Sequence, residues 1–582
     1  MRFCEAKEDM KSERKEYPRP QFRRENYQIL NGEWDFDFGE RDIKNLALSK
    51  KILVPFSYQY DASGIGDKGV YDILWYRRKF VIERDNLSRR ALLCFNAADY
   101  QTDVWINGYH VKTHVGGFTP FQVDITEYLR GEENEIVVRC KDTLDTRLPR
   151  GKQTWTGEVF ACFYLPNSGI WQSVWIDYFD DDCIERYSLQ SDVDHRRIFG
   201  YVETLYEKAE ELEIALKWKN RTLKKQRISL DGKRTKFSIS LADYAFDFSH
   251  LLWSTDQPNL IAVDFKLFKA KKVVDSAHSR IGLRKIHIDE YGKICLNGRP
   301  LFQRLILDQG YWAESGLTPP SIEAIKKDIE LAKAMGFNGA RKHQKVEDPY
   351  FYYYAEELGF LVWCEMPSAY TFCEQEVKSI TSEWQEIVNY TKNFTGIIAY
   401  VPLNESWGVQ EIKTDRAQQN FARGLYYLTK SLDPTRLIST NDGFETIEES
   451  DILGIHDYDI KKTAEFPNKY CGDYDGMYPQ GYSLFAEGQK YRNQPVILTE
   501  FGGIAFINDL KKDFWGYGCG AKDESDLCER INELIRGIAK TEFQGYCYTQ
   551  LTDVQQEVNG LLSSDRTPKA PLEQLKKIFE MN

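Results

Sequence analysis

The sequence lacks any long apolar run: across its 582 residues no window approaches the roughly 18 apolar residues that a membrane-spanning helix needs. Its first residues, MRFCEAKEDMKSERKE, are charged and lack the apolar centre of a secretion signal. It also lacks paired cysteines, since its 12 cysteines are scattered between Cys4 and Cys547 without a C-x-x-C pair or a metal-ligand spacing. We therefore expect reduced thiols, a cytoplasmic location, no zinc-type cluster and no membrane partner.

An excess of positive charge is missing as well. Lys and Arg number 77 against 89 Asp and Glu, which gives a net charge of -12 and argues against a nucleic-acid partner. The chain is too long for one hydrophobic core, so two to four domains of roughly 100 to 300 residues are expected. Aromatic residues make up 14% of it, and such rings suit both large cores and sugar-binding surfaces.

The N-terminal half reads as β-structure. Short alternating strands, punctuated by Gly, Asn and Pro, are predicted at WDFDF (34 to 38), WYRRKFVI (75 to 82), VWING (104 to 108) and IVVRC (136 to 140). The alternation continues at Leu212, Ile214 and Leu216 and again at Phe237, Ile239 and Leu241, between turns richer in charge. The pattern predicts one β-sandwich followed by a second, smaller one.

Beyond about residue 282 the period becomes helical. Ile322, Ile325, Ile329 and Ala332 follow the N-cap candidate Ser321, and FNGAR (337 to 341) then reads as a buried strand. Further helices are predicted near 349 to 358, 383 to 393 and 412 to 431, and further strands at FLVWCE (360 to 365), GIIAYVPLNE (396 to 405), RLIST (436 to 440), DILGIHDY (451 to 458), PVILTEF (495 to 501) and GYCYTQL (545 to 551). Serial βα units over about 300 residues favour a closed barrel.

Polar residues that end the barrel strands are the candidates for a site, because the carboxyl ends of the strands converge. They are Asp308, Arg341, His343, Glu365, Asn404, Glu405, His456, Tyr458, Glu500 and Gln550. Each could instead be a capping or loop-stabilising residue. Glu405 and Glu500 differ because each directly ends an apolar strand, where a carboxylate is costly to bury unless it is used or paired.

Two facing carboxylates suggest glycoside hydrolysis. One must protonate the leaving oxygen and the other must stand opposite, and in retaining enzymes the two are about 5 to 5.5 Å apart. We expect neighbouring charge to raise the pKa of the proton donor.

The sequence also resembles glycoside hydrolase family 2, the β-galactosidase, β-glucuronidase and β-mannosidase group, over nearly its whole length. The motifs that carry the resemblance are NGEWDF (31 to 36), VPFSYQYDASGIG (54 to 66), WYRRKF (75 to 80), NGYHVKTHVGGFTPFQVDIT (107 to 126), SGIWQSVWID (168 to 177), PLNESWG (402 to 408) and PVILTEFGG (495 to 503). The resemblance implies a jelly-roll sugar-binding domain at 1 to 181, an immunoglobulin-like β-sandwich at 182 to 281 and a catalytic TIM barrel at 282 to 582.

The resemblance also implies residue roles. PLNESWG resembles the acid/base motif of the family and PVILTEFGG its nucleophile motif, which assigns those roles to Glu405 and Glu500. Asn404 would contact the 2-hydroxyl of the sugar, Tyr458 would hydrogen-bond the nucleophile and Arg341 would keep that carboxylate ionised. The alternative for Tyr458 is a buried core tyrosine.

Departures from the family pattern bear on the substrate. The first strand ends in LDQGYW (307 to 312), the second in RKHQK (341 to 345), and no tryptophan stands near Thr549. Gln550, Asp553 or Gln556 could replace that aromatic floor with hydrogen bonds. The glucuronidase branch binds its carboxylate through an Asn-x-Lys motif shortly before a D-R-x-P-K segment, and here the corresponding stretch NGLLSSDRTPK (559 to 569) lacks the Lys of that Asn-x-Lys motif. We therefore expect a neutral hexoside, a β-galactoside first, with a β-galactofuranoside or an α-L-arabinofuranoside left open.

The segment PRGKQTW (149 to 155) stands where some members send a loop over the barrel mouth, so Lys152 and Gln153 either touch substrate or form a surface turn. The leading hypothesis is a retaining exo-β-glycosidase that needs no cofactor and no metal. A non-catalytic carbohydrate-binding protein on the same architecture and an endo-acting or transglycosylating enzyme are the alternatives. The partner expected is a glycoside or oligosaccharide, and a homo-oligomer is left open.

Overall fold

A computed structural model describes residues 14–244, 248–459, 465–472, 474–477, 479–506 and 514–581. The first domain is a sandwich of a four-stranded and a six-stranded antiparallel sheet with a short two-stranded ribbon. Its strands are β1 Tyr27–Ile29, β2 Gly32–Phe38, β3 Lys50–Val54, β4 Ile73–Val81, β5 Arg90–Phe95, β6 Ala98–Asp99, β7 Gln101–Ile106, β8 Tyr109–Val115, β9 Phe121–Asp124, β10 Glu133–Lys141, β11 Gly169–Ile170 and β12 Val174–Phe179.

The core of this sandwich follows from strand alternation. In β2, Trp34 and Phe36 are buried, whereas Glu33, directly before Trp34, is exposed, as the two-residue period of a strand requires. Each such large apolar side chain contributes roughly 1.5 to 3 kcal/mol by leaving water. The strand β2 pairs with both β3 and β4, so it lies one strand in from the edge of the six-stranded sheet.

The second domain packs a three-stranded sheet against a four-stranded one. Its strands are β13 Ile184–Asp192, β14 Arg197–Thr204, β15 Glu211–Trp218, β16 Arg221–Ser229, β17 Arg234–Ser240, β18 Ile261–Lys269 and β19 Lys272–Ile281. The strand β17 buries Thr235, Phe237 and Ile239 and exposes the residues between them. Arg24 joins the two sandwiches, since its guanidinium contacts Asp177 at 3.0 Å and Asp275 at 2.9 Å and all three side chains are buried.

The third domain is the barrel, preceded by a small antiparallel sheet. That sheet comprises β20 Ile286–Ile288, β21 Ile294–Leu296 and β22 Arg299–Pro300. The barrel strands are β23 Gln303–Asp308, β24 Gly339–Lys342, β25 Leu361–Glu365, β26 Ile397–Val401, β28 Leu437–Ile438, β30 Leu453–Asp457, β31 Val496–Gly502 and β32 Gly545–Thr549, and the short pair β27 Leu403–Asn404 and β29 Asn441–Asp442 extends β26 and β28.

These eight strands form one parallel sheet in the order β28-β26-β25-β24-β23-β32-β31-β30. The backbone N–H groups of Asp451 and Ile452 both donate to the carbonyl of Ile438, at 2.8 and 3.2 Å, which brings the two edges of the sheet together. Every residue of β26 is buried, as expected for parallel strands covered on both faces. The predicted combination of jelly-roll sandwich, immunoglobulin-like sandwich and (β/α)8 TIM barrel is confirmed.

Helices surround the barrel at α1 Ile322–Ala334, α2 Pro349–Leu358, α3 Glu374–Thr391, α4 Arg416–Leu432, α5 Phe466–Lys469, α6 Glu524–Ile538 and α7 Leu572–Phe579. Ser321 caps α1 as predicted, because its hydroxyl accepts from the N–H of Ala324 at 3.2 Å. The sequence placed the start of α3 near 383, nine residues late. Its first turns bury the polar Glu376 and Ser379, so the apolar period shows only from Ile380 onward. No helix within the described ranges is long and apolar enough to cross a membrane.

Candidate active site

The polar residues at the carboxyl ends of the barrel strands form one buried network. Glu405 follows β27, and Glu500 lies within β31. A carboxylate oxygen of each and a ring nitrogen of His456 all lie within 4.8 Å of one another. The side chain of Glu405 is 19% exposed and that of Glu500 only 5%, so the first faces the opening of the site and the second its floor.

The backbone that presents Glu405 is unusual. Glu405 and Ser406 have φ angles of 51° and 56°, in the left-handed region that non-glycine residues rarely adopt. The turn is held by two hydrogen bonds: the N–H of Glu405 donates to the carbonyl of Asp442 at 2.9 Å, and that of Ser406 to Asn441 Oδ1 at 3.0 Å. Such strain persists where the surroundings fix the conformation, which is common at functional sites.

Glu500 is surrounded by hydrogen-bond donors. The hydroxyl of Tyr458 donates to Oε2 at 2.5 Å, and Nη1 of Arg341 lies 3.2 Å from Oε1. His456 and His343 approach the same Oε1 to 3.5 and 3.9 Å through their Nε2 atoms. The contacts expected of Tyr458 and Arg341 are thus present.

Arg341 is the central cation of the network and is fully buried. Besides Glu500 it contacts Glu365 at 2.7 Å and Asp442 at 2.9 Å, and it donates to Asn404 Oδ1 at 3.0 Å. Burial alone would raise the pKa of Glu365 and of Asp442, but the charge of Arg341 holds both pKa values below their ordinary range. One guanidinium therefore contacts three carboxylates and offsets part of their negative charge, in a buried place from which water is excluded.

His456 bridges Glu405 and Asp442. Its Nδ1 lies 2.7 Å from Glu405 Oε1, and its Nε2 lies 3.0 Å from Asp442 Oδ2. Although burial opposes the charged ring, the negative charge of Glu500 and the hydrogen bonds to Asp442 and Glu405 raise the pKa of His456 to about 10. The ring is an imidazolium at neutral pH.

The pKa of Glu405 corrects an expectation. The sequence predicted that neighbouring charge raises it, whereas here it is lowered. Burial raises it, but the hydrogen bond from His456, the charge of that ring and the charge of Lys152 outweigh burial. Glu405 and His456 share one proton, and these pKa shifts place it on the His456 ring.

Asn404 and His343 face the same space. Asn404 is buried and its Nδ2 has no hydrogen-bond partner among the described residues, so a buried donor is left for a ligand. His343 is oriented by Glu365, whose Oε2 lies 2.7 Å from Nδ1, which leaves Nε2 toward Glu500. Contact of these residues with sugar stays a prediction.

Asp308 and Gln550 have other partners. Asp308 pairs with Lys342 at 2.7 Å, and Lys342 also pairs with Glu347 at 2.6 Å, within a buried group of charges beside the site. Gln550 accepts from Gln309 at 2.8 Å, while its own Nε2 is buried without a partner among the described residues. Substrate contact by Asp308 or Gln550 remains a prediction.

Two other residues proposed as a hydrogen-bonding floor are engaged elsewhere. Asp553 pairs with Lys569 at 2.6 Å, and burial raises its pKa to about 6. Gln556 donates to the carbonyls of Ala161 and Phe163 at 2.7 and 3.0 Å, in the N-terminal domain.

A segment of the N-terminal domain lies across the barrel mouth. The N–H groups of Arg150 and Gly151 donate to the carbonyl of Ser368 at 2.9 and 3.1 Å. Gly151 has a φ of +61°, and a Cβ there would stand 2.2 Å from the carbonyl oxygen of Gln344, so only glycine allows this approach. Gln153 is used internally, since its Oε1 accepts from the N–H of Asn167 at 2.6 Å.

Lys152 instead turns toward the site. Its Nζ lies 4.6 Å from the centroid of the Trp407 ring, and the residue is 7% exposed. Within the described part of the chain no carboxylate lies within 4.0 Å of this Nζ. Burial lowers the pKa of Lys152, yet the neighbouring thiol of Cys162 and the carboxylates of Glu557, Glu500 and Glu405 raise it overall. The site therefore holds a buried ammonium group.

Several residues of the site were not among the sequence candidates. Asp442 comes four residues after the end of β28, and Glu557 comes from the loop after β32, where it accepts from Tyr164 and from Asn559 Nδ2. Tyr517 stacks on Tyr458 with ring centroids 3.6 Å apart. Asp442 could have been found as a further carboxylate after an apolar strand, whereas Glu557 and Tyr517 lie in loops with no local signal.

A metal site would draw on the same atoms. Within the described ranges, Glu405, His456 and Glu500 are a group whose donor atoms converge closely enough to hold an ion. Two carboxylates and an imidazole are donor types that suit several divalent cations. The hydrogen bonds already made to both carboxylates account for their proximity.

Comparison with known proteins identifies the family. Residues 28–155 match the model of the glycosyl hydrolases family 2 sugar binding domain, and residues 288–581 match that of the family 2 TIM barrel domain. The second match alone spans half of the chain. The protein is thus built as a family 2 glycoside hydrolase from its N-terminal sandwich to its barrel, and the chain belongs to that family.

Individual relatives are distant. A β-galactosidase from Thermoanaerobacter pseudethanolicus is 24% identical over 82% of this chain and 62% of its own length. A β-glucuronidase from Streptococcus agalactiae is 22% identical over 94% of this chain and 95% of its own length. The chain spans 40 to 62% of the length of five curated relatives, the Thermoanaerobacter enzyme among them. The solved β-glucuronidase of an uncultured Clostridium sp. has a TM-score of 0.76 at 19% identity and covers 96% of this chain and 99% of its own.

Proposed function

We propose that this protein is a retaining exo-β-glycosidase that acts by double displacement. Glu500 attacks the anomeric carbon and forms a covalent ester while the bond to the leaving oxygen breaks, and Glu405 gives that oxygen its proton. Glu405 then takes a proton from water, the water oxygen attacks the same carbon, and the ester bond to Glu500 breaks. Two inversions give net retention.

The observation that carries the proposal is the spacing of the two carboxylates. Their nearest oxygens lie within 4.8 Å of each other, which fits the separation of about 5 to 5.5 Å in retaining enzymes and leaves no room for the water of an inverting pair. The difference in exposure supports the division of roles, because the proton donor must meet the leaving group at the open side.

The surrounding residues support each step. Arg341 and the Tyr458 hydroxyl stabilise the charge of Glu500 before attack, and both can weaken their hold as that charge is lost to the sugar. His456 supplies the proton that Glu405 needs, across the 2.7 Å hydrogen bond between them. Asn404, with its buried Nδ2 unpaired among the described residues, is suited to the 2-hydroxyl of the sugar.

For the sugar we propose a terminal neutral β-hexoside, with β-galactoside first. Support comes from the barrel end, where residues 559 to 564 lack the Asn-x-Lys motif of the glucuronidase branch, and from relatives named β-galactosidase. A second candidate is a β-linked acidic sugar. It is favoured by the buried ammonium of Lys152 and by relatives named β-glucuronidase.

The anomer released first tests the mechanism. The protein is mixed with p-nitrophenyl β-galactoside, β-glucuronide and other β-glycosides, and proton NMR follows the product before mutarotation. The β-anomer is expected first, whereas an α-anomer would contradict retention. Glu500→Gln serves as the inactive control. Binding of a glycoside without turnover by the unaltered protein would favour a non-catalytic carbohydrate-binding protein instead.

A further inference from the structure

A cluster of aromatic rings leads outward from the turn that carries Glu405. We call Trp155, Phe160, Phe163, Tyr370 and Trp407 the aromatic shelf. Trp407 lies 5.4 Å from Phe163 and 5.6 Å from Tyr370 between ring centroids, and Trp155 lies 4.7 and 4.4 Å from the same two rings. Phe160 continues the series at 5.5 Å from Trp155. The rings form a continuous series from the site to the surface, and the ammonium of Lys152 lies over its inner end, 4.6 Å from the centroid of Trp407 and 5.9 Å from that of Phe163.

The outer end of the shelf is open to solvent. Phe160 is 37% exposed and the adjacent Val159 is 43% exposed, whereas Phe163 is buried beneath them. A contiguous apolar surface at the rim of a polar site is costly to hydrate, and such patches commonly bind ligands. The family fold does not need these side chains exposed, since the core of the N-terminal sandwich lies elsewhere around Trp34 and Phe36.

The shelf is rigid. The N–H of Phe163 donates to the carbonyl of Phe160 at 2.8 Å, and the reverse bond is 3.2 Å, so the two rings project from a tight turn. Gln556 of the barrel holds that turn through the carbonyls of Ala161 and Phe163, and the hydroxyl of Tyr370 donates to the carbonyl of Gly151. Pre-ordered rings bind a flat ligand without a large loss of side-chain entropy.

The position of the shelf fixes which part of a glycoside it can meet. Trp407 lies in the same turn as Glu405, because its N–H donates to the carbonyl of Asn404 at 3.0 Å. Glu405 is the group that protonates the leaving oxygen, so whatever lies beyond Glu405 contacts the leaving group. The buried partners of Glu500 occupy the other side, where the sugar ring must sit.

We infer that the aromatic shelf is the leaving-group subsite and that it selects β-glycosides whose aglycone is a ring with an apolar face. The inference rests on the proposed function, since it presumes that Glu405 is the acid/base. An aryl ring and a second sugar ring both present such a face, and aromatic side chains stack on either. A methyl aglycone is too small to reach beyond Trp407.

The test compares one sugar with different leaving groups. Trp155→Ala and Phe160→Ala are assayed with the p-nitrophenyl glycoside, a disaccharide and the methyl glycoside of the sugar that the unaltered protein hydrolyses best. We expect kcat/KM for ring-bearing substrates to fall roughly 3- to 10-fold per ring removed, with less than a 2-fold change for the methyl glycoside. Tyr291→Ala, which removes an exposed ring from the hairpin between β20 and β21, is the matched control.

Kinetics separate binding of the leaving group from chemistry on the sugar. All substrates of one sugar pass through the same glycosyl-enzyme, so kcat should not change where hydrolysis of that intermediate is limiting. An equal loss for all leaving groups, or no loss for any, overturns the shelf while leaving the glycosidase proposal standing. If the unaltered protein hydrolyses no glycoside, the proposed function fails and the shelf with it. The kcat/KM values for the disaccharide and the p-nitrophenyl glycoside show whether a sugar ring or an aryl ring is preferred as leaving group.

Discussion

Glu405 and Glu500 meet at the barrel mouth with the His456 ring beside both, one oxygen or nitrogen of each within 4.8 Å of the others. Glu405 follows β27, whereas His456 and Glu500 lie in β30 and β31. The positive ring of His456 is thus next to two carboxylates that must take opposite protonation states. The first carboxylate has to hold a proton and the second has to remain charged. The neighbours of Glu405 lower its pKa and leave the shared proton on His456, so this proton has to pass from the ring to Glu405 before the leaving oxygen can receive it. This arrangement determines what each substitution should do.

Removing one carboxylate at a time should separate their roles. Glu500→Gly should abolish hydrolysis, because no covalent intermediate can form. Glu405→Gly should lose about 10² to 10⁴-fold with poor leaving groups, which need the proton, and much less with dinitrophenyl glycosides, which do not. Added azide should restore turnover in both variants, with product identified by NMR: an α-glycosyl azide from Glu500→Gly and a β-glycosyl azide from Glu405→Gly.

The reverse result, a β-glycosyl azide from Glu500→Gly and an α-glycosyl azide from Glu405→Gly, would show that the two roles have been wrongly divided. Asp553→Gly, which removes a carboxylate paired with Lys569 outside the catalytic pair, controls for the loss of an acidic side chain near the barrel mouth.

His456→Asn should change the pH dependence. In the unaltered protein burial raises the pKa of Glu405, but the hydrogen bond and charge of His456 lower it overall. Without the ring, the proton that His456 holds with a pKa of about 10 must be held by Glu405 alone, so the basic limb of the kcat/KM profile, where this proton is lost, should move to lower pH. Activity should also fall, since Asp442 loses a partner. A basic limb that stays in place would contradict this role for His456, and His278→Asn on the second sandwich is the control.

His456 should also link stability to pH. Its pKa is raised to about 10 in the folded protein, so its contribution is complete below the ordinary pKa of about 6.5 and disappears as the pH rises through about 10. The melting temperature of the unaltered protein should therefore fall between pH 7 and 10 more than that of His456→Asn. The two curves would be parallel if the ring were neutral when folded.

Arg341→Gln should be strongly destabilising. The side chain is fully buried and contacts Glu365, Asp442 and Glu500, so its removal leaves uncompensated charge at a cost of about 3 to 5 kcal/mol. The lowered pKa of Glu365 and of Asp442 means that their stabilising contribution exists above the ordinary carboxyl range and is lost in acid. The melting temperature should accordingly drop most near neutral pH and least at low pH.

Arg84→Gln provides the comparison for Arg341→Gln, because the Arg84 side chain is 89% exposed and pairs with Glu132 at the surface. Its effect should stay within about 0.5 kcal/mol. Similar melting temperatures for the two variants would mean that the ion pairs of Arg341 with Glu365, Asp442 and Glu500 do not stabilise the fold.

The barrel and the positions of Glu405 and Glu500 at its mouth could be predicted from the sequence because their signals are local. An apolar strand and the acidic residue that ends it are adjacent in the chain, as at Glu405 and Glu500, and a parallel barrel brings all such ends together. Helix α3 shows where this fails, since its first turns bury polar residues against another domain and lack an apolar period.

The electrostatics of the site could not be predicted, because they depend on residues far apart in the chain. The pKa of Glu405 is lowered by His456, 51 positions away, so the predicted rise was wrong. Lys152 and Glu557 reach the site from a sandwich loop and from the last barrel loop, and neither position has a local pattern. Their importance follows from docking of one domain on another, as at Gly151.

Lys152 offers a way to decide between a neutral and an acidic sugar. Its ammonium is buried near Glu405, Glu500 and Glu557 without a carboxylate within 4.0 Å among the described residues. If an acidic sugar binds, Lys152→Met should reduce kcat/KM for the β-glucuronide or β-galacturonide about 100-fold or more, because a buried charge pair worth about 3 kcal/mol or more is lost. The fall in kcat/KM for the β-galactoside should be much smaller. Lys152→Arg should retain part of the activity because the charge is kept.

If the sugar is neutral, the ammonium donates to a hydroxyl, and Lys152→Met should lower kcat/KM for the β-galactoside by roughly 10-fold, the value of one hydrogen bond from a charged donor. Gln153→Met is the matched control, since this neighbouring side chain bonds to Arg150 and Asn167 of the N-terminal domain. The ratio of the kcat/KM values for the uronide and the galactoside, measured in each variant, distinguishes an acidic from a neutral sugar. If Lys152→Met leaves this ratio unchanged, Lys152 does not bind a charged group on the sugar.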